Sequence, residues 1–250
     1  MKKAHLLIAL ALYSSSTLAS EDWQFQLEPY VMGTSISGDA AIGRVSGVEL
    51  DVDFSTILEN LEMAAMIKGE AIHSSGWGIL LDYAFMDLGH KKSSSRDGYL
   101  DANLRQGTLE ALALHRFKYK HGYIDYLAGI RWWDNDINLT LDPAIIPGSS
   151  SIKNTEDWVD AVAGMRWSHK IANNWAFSGR ADVGGFGLEA DFTTSIELGF
   201  AYHISELMTL SMRYRGLWVN YDNEEDENTP AHFKYDTVTH GPILGLAFKF

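Results

Sequence analysis

DYLAGIRWW runs from Asp125 to Trp133 and DAVAGMRWS from Asp160 to Ser168, so one pattern of an acid, a glycine and an arginine occurs twice, 35 residues apart. Carboxylates and guanidiniums at fixed spacing can pair with each other, hold a charged ligand or move protons. The histidines are the other candidates for proton transfer. His73, His121, His169 and His203 fall beside short turn-like stretches, His90, His115 and His232 lie elsewhere, and His240 falls in the apolar phase of the last segment, next to Thr239. No serine or aspartate stands at a spacing that completes a nucleophile and its base. No catalytic residue is therefore assigned, and a lipid-modifying enzyme is the minor alternative. The acidic run DNEEDEN, Asp222 to Asn228, lacks the glycine-anchored ligand spacing of a Ca²⁺ loop. Neither a metal site nor a cofactor is expected.

What must position these charges follows from a period of two. Val159, Ala161, Ala163, Met165 and Trp167 are apolar, while Asp160, Arg166 and Ser168 lie in the opposite phase. Successive strand side chains point to opposite faces, so this is a strand with one apolar and one polar side. The phase recurs over 122–139, 174–186, 190–203 and 207–221. Such segments exceed the usual strand length of about 5–6 residues in soluble sheets. Apolar outer faces, polar inner faces and aromatic residues at the ends describe a transmembrane β-barrel. Trp77, Phe117, Trp167, Trp175, Phe200 and Tyr202 gather near the short turns and should mark the periplasmic interface.

The expected fold is thus all-β: one antiparallel barrel of about ten strands, with 8–12 possible, at roughly 23–34, 62–73, 76–88, 104–117, 122–139, 157–169, 174–186, 190–203, 207–221 and 233–250. Short turns alternate with longer outer connections near 89–99, 140–157 and 222–232. Residues 35–61 then form one outer excursion, a lid or inward plug, ending in a short helix where Thr56 and Glu59 have capping-box spacing. Two further strands with that helix on the rim are the alternative.

In this topology the two motif copies lie on neighbouring antiparallel strands, so Asp125 should face Arg166 and Arg131 should face Asp160, with Gly129 and Gly164 making room between these rungs. The inward phase collects Lys68, Arg116, Arg131, Arg166, Arg180, Arg213 and Arg215 against Glu70, Asp82, Glu110, Asp125, Asp160, Asp182, Asp191 and Glu197. Barrels of about eight strands are filled by their side chains, whereas open aqueous channels need about 16. A plugged, charge-paired lumen is the expectation, and a narrow conduit for a small solute is the alternative.

Composition bounds the rest. Residues 1–20, MKKAHLLIALALYSSSTLAS, have the basic start, short apolar run and small-residue end of a secretory signal peptide, leaving 21–250 as a single barrel domain. The chain carries net charge −13 and no cysteine, which disfavours a nucleic-acid partner and excludes thiolate sites and disulfides. No later stretch approaches the ~20 apolar residues of a transmembrane helix.

The closing GPILGLAFKF places Leu244, Leu246, Phe248 and Phe250 in one phase and resembles the assembly signal of Gram-negative outer-membrane barrels. With VELDVDFSTILENLEMA, TEDWVDAVAGMRW and ADVGGFG, the chain resembles small outer-membrane barrel proteins of the OmpA-like and porin-like superfamily. That resemblance implies an outer-membrane location and recognition by the barrel-insertion machinery, with membrane lipid and lipopolysaccharide as surroundings. It brings no catalytic residue. The expected role is a monomeric envelope barrel, structural or binding lipid or a partner through its outer loops.

Overall fold

A computed structural model describes residues 22–42, 45–94, 98–142, 150–226, 229 and 231–250. The expected signal peptide lies outside these residues. The strands are β1 (Trp23–Met32), β2 (Ser35–Ile42), β3 (Val45–Val52), β4 (Leu61–His73), β5 (Trp77–Ser94), β6 (Gly98–Tyr119), β7 (Gly122–Asp142), β8 (Ser150–Lys170), β9 (Trp175–Gly185), β10 (Phe192–His203), β11 (Met208–Asp222) and β12 (Phe233–Lys249). Among the described residues a single helix, α1 (Phe54–Asn60), occurs, between β3 and β4.

All neighbouring strands are antiparallel, and β1 pairs with both β4 and β12. The wall therefore closes over ten strands, β1 and β4 to β12. Closure removes the free sheet edges that water or lipid would otherwise meet. The β1–β12 ladder skips Glu28 and Pro29, where proline has no N–H to give.

Alternation sets the two faces. Along β5, Trp77, Ile79, Leu81 and Tyr83 are exposed while Leu80 and Asp82 are buried. Along β12, Leu244 and Phe250 are exposed on the face shared with Leu246 and Phe248, and Ile243 and Ala247 are buried. The exterior is thus an apolar band, and the polar phase is turned into the lumen. Trp77, Phe117, Trp175 and Phe200 are all exposed beside the short turns, as an interfacial girdle requires.

Three expectations are corrected. Residues 35–61 are not a lid or inward plug but the alternative, two further strands and a helix: β2 extends along the upper part of β12, from His240↔Ser35 to Phe233↔Ile42, and β3 pairs back on β2. This hairpin lengthens the wall on one side, so the closed strand count stays at ten. Helix α1 starts one turn earlier than the capping-box spacing suggests, because Asp53 is the N-cap and its carboxylate accepts the Thr56 N–H at 2.7 Å. Hydrogen bonds from Thr56 and Ser55 hold that carboxyl below its ordinary pKa, so the charged cap persists at neutral pH and is lost only as pH falls through the lowered value. Finally, much of 89–99 and 140–157 is strand rather than loop, since β5 and β6 pair as far as Ser94↔Gly98, and β7 and β8 as far as Leu141↔Ser150.

Gly38 sits in β2 at φ +135°, and a Cβ there would land on the backbone of Asp236 and Thr237. Gly38→Ala should cost about 1–3 kcal/mol locally, through strain. The expected result is several-fold faster proteolytic cutting within 35–52, with the heat-dependent gel shift of the closed barrel unchanged.

Candidate functional site in the lumen

Strand pairing arranges the inward charges in two rows of cross-strand neighbours. The first runs over six adjacent strands, from β1 to β8: Glu28, Lys68, Asp82, Glu110, Arg131 and Asp160. The second runs from β6 to β11: Arg116, Asp125, Arg166, Arg180, Glu197 and Arg215. Four of the first six are acids and four of the second six are arginines. Closing the barrel sets an acidic row opposite a basic one.

Contacts across the lumen follow from that opposition. Arg180 reaches Glu110 at 2.8 Å, and Arg215 reaches Asp82 at 3.3 Å. Residues off the rows join them: Asp182 binds Arg131 at 2.7 Å, and Arg213 binds Glu28 at 2.8 Å and Glu197 at 3.2 Å. Glu70 pairs with both Arg116 and Arg166. Arg116 also stacks on the Tyr123 ring, 3.7 Å from its centroid, which adds an aromatic partner to its two carboxylates, Glu70 and Asp125. Pairing of this density is what allows so many charges to leave water.

The two motif rungs divide their work. Asp125 accepts hydrogen bonds from Arg166 on one side and Arg116 on the other, so the lower rung forms as expected. Arg131 and Asp160 are register partners, but their side chains turn apart. Arg131 bonds Glu110, directly opposite it on β6, at 2.6 Å, and also Asp182. Asp160 instead accepts the indole N–H groups of Trp133 at 3.0 Å and Trp158 at 3.3 Å, and the Ala190 N–H at 3.3 Å. The stronger acceptor geometry beside Arg131 draws it away, and two indoles need the oxygen it leaves. Gly164 lies opposite Asp182, where a Cβ would strike that side chain, so it does make room in the network.

Above the charges an aromatic layer spans the barrel. Trp158 stacks between Trp133, with centroids 5.4 Å apart, and Tyr221, 4.0 Å away, and Phe233 and Tyr235 complete the cluster. Between the layers lies a cavity of about 70 Å³ floored by Asp82, Glu110 and Arg215. Below the charges a vestibule of about 420 Å³ opens toward the short turns, with Lys120, His121, Lys170 and Lys249 at its mouth.

Sequence reasoning misplaced Asp191, which is exposed in the β9–β10 connection, and missed Glu28, which is buried. The alternation Gln24, Gln26, Glu28, Tyr30 was a sufficient signal for it. The aromatic layer was not signalled: Trp133 and Trp158 lie within the expected strands 122–139 and 157–169, but Tyr221, Phe233 and Tyr235 reach them only from β11 and β12 across the lumen. Among the described residues no cluster of metal-ligating side chains occurs. His240 bonds the Tyr214 hydroxyl at 2.8 Å and His203 the Thr209 hydroxyl at 3.0 Å, and among the described residues no carboxylate completes either pair.

Glu110→Gln removes the charge facing both Arg131 and Arg180. Breaking a buried pair this way costs about 3–5 kcal/mol. The denaturant midpoint of the refolded barrel should drop accordingly, while Glu225→Gln on the exposed outer loop should stay within about 0.5 kcal/mol of the unaltered chain.

No protein-family model matches the chain, and no curated protein matches it by sequence. Among solved structures, the outer-membrane protease OmpT of Escherichia coli is 10% identical, with a TM-score of 0.60, over 95% of this chain and all of that one. Ail of Yersinia pestis, solved with a heparin analogue, is 11% identical over 92% of this chain and 99% of that one, at a TM-score of 0.39. Neisserial surface protein A is 13% identical over 91% and 97%, at 0.32. The OmpT likeness, with the closed ten-strand wall and apolar exterior, shows that the chain has the fold of outer-membrane β-barrel proteins.

Proposed function

We propose that the chain resides in the outer membrane as an envelope barrel closed along its axis, rather than as an axial pore or a catalyst. One observation carries this reading: two charge rows of opposite excess meet across the lumen and leave no described arginine of the network without a carboxylate partner. A selective conduit would instead line its path with charges free to exchange partners with a passing ion. The aromatic layer above adds a second, uncharged seal.

An OmpT-like fold alone supplies no protease mechanism, since unrelated functions share one barrel architecture. The His240–Tyr214 pair lies on the outer face, and among the described residues no third partner orients it as a base. The role that remains is at the membrane: a rigid, lipid-embedded barrel that presents its wall and outer strand extensions to lipid and to neighbours.

Planar-bilayer recording tests the closed axis. The refolded chain should give no current steps, and a variant carrying Glu110→Ala, Arg131→Ala and Arg180→Ala, shown to be folded by heat-dependent gel mobility, should give them. Reproducible steps from the unaltered chain would make it a channel.

A further inference from the structure

One stretch of the closed wall is not hydrogen-bonded. The β1–β4 ladder ends at Pro29↔Ile67, yet β1 continues to Met32 and β4 begins at Leu61, so the strand edges above Tyr30 and Met66 face each other unpaired. Among the described residues β3, the last strand of the hairpin extension, has no further neighbour on that side. Helix α1 covers this seam. Its Ile57 is buried against Ile36 and Met86, while Phe54 and Leu58 are exposed.

A groove of about 300 Å³ runs through the seam, lined by Val31, Met32, Phe54, Leu58, Met66 and Met86 among others. Val31 belongs to the outward phase and is 65% exposed, whereas Met86 belongs to the inward phase and is 7% exposed, so the groove passes from the exterior to the lumen. Tyr30, Met32, Met66 and Met86 also line the cavity of about 70 Å³ above the charge network. The two spaces adjoin, with these four side chains as their common wall.

We propose that the seam between β1 and β4, lined by Met32, Met66 and Met86 and covered by α1, admits an acyl chain of an outer-leaflet lipid into the upper lumen. Height places the opening in that leaflet. Six residue steps from Trp23 to Pro29, at about 3.4 Å each and a tilt of about 40°, lift the seam about 16 Å above the periplasmic end of an apolar band about 25 Å tall. The surroundings there are hydrocarbon, since Val31, Met63 and Ile67 are exposed apolar side chains on the adjoining wall.

The lining fits a chain rather than a head group. Methionine side chains are flexible and polarizable and repack around an irregular apolar guest. At the inner end, Asp82 accepts the Tyr30 hydroxyl and pairs with Lys68 and Arg215, and Arg215 pairs with Glu197. A free fatty acid's carboxylate would find no unpaired cation there, so the chain belongs to a lipid whose head stays at the membrane surface. Bare strand edges are not tolerated in hydrocarbon, which gives α1 its place as the cover of an otherwise open seam. This site does not depend on the closed-axis reading: conductance reports the axis, and the experiment below reports the wall.

The full chain, refolded into vesicles containing a diacyl phospholipid with a mid-chain diazirine, is irradiated and its adducts mapped by peptide mass spectrometry. Adducts are expected on inward-phase Met32, Met66 or Met86 as well as on outward Leu81. Ala64→Trp, which fills the groove, should cut the inward adducts at least five-fold and leave Leu81 unchanged, with Met66→Phe as the second filling variant if the first loses its heat-dependent gel shift. Adducts confined to outward residues, inward labelling indifferent to filling, or inward labelling by a diazirine fatty acid but not by the lipid would each overturn the proposal.

Discussion

Everything inside this barrel depends on the interlock of two charge rows. A ten-strand wall encloses more inward side chains than apolar packing between membrane-facing strands can supply, and its polar phase must be satisfied internally because water and lipid cannot do it. The solution is collective. Glu28, Lys68, Asp82, Glu110, Arg131 and Asp160 wind across β1 and β4 to β8 with an excess of acids, and Arg116, Asp125, Arg166, Arg180, Glu197 and Arg215 wind across β6 to β11 with an excess of bases. Register fixes which residues share a row, and closure brings the rows together. A one-residue slip in any strand would turn its charges into lipid, so the network also specifies register.

Such a network is not a large net source of stability, because the charges have lost their hydration. Its effect is specific: each arginine in it is shared between two carboxylates, so removing an acid such as Glu110 leaves two buried cations under-compensated at once. The aromatic layer depends on it in turn, since Asp160 is held at the upper edge of the acidic row and its carboxylate fixes the indoles of Trp133 and Trp158. The seam between β1 and β4 lies just above the last pair of the row, Glu28 with Lys68. Where the polar rows stop, the wall is free to part.

Strand positions, closure at ten strands and the Asp125–Arg166 pairing were legible in the sequence because each follows from the period of two and from turn spacing. The partner choices of Arg131 and Asp160 were not. They depend on Glu110 and Asp182, which reach Arg131 from β6 and β9, and on two tryptophans, register partners on β7 and β8, whose indoles both turn to Asp160. Alternation in a single segment cannot show which of several inward neighbours a long arginine side chain will choose. The hairpin over 35–52 was ambiguous for a related reason: Val48, Leu50 and Val52 alternate like any strand, and only its pairing to β12 shows that it extends the wall instead of joining it.

The most direct test of the interlock is a double-mutant cycle across the lumen on Asp82 and Arg215, whose strands are not neighbours in the wall. Asp82→Asn, Arg215→Gln and the double variant are unfolded by denaturant in vesicles. The rows predict a coupling energy of about 1–3 kcal/mol, with the double variant less destabilised than the sum of the singles. Additivity within about 0.3–0.5 kcal/mol would mean that the rows do not act on each other, and would contradict the account.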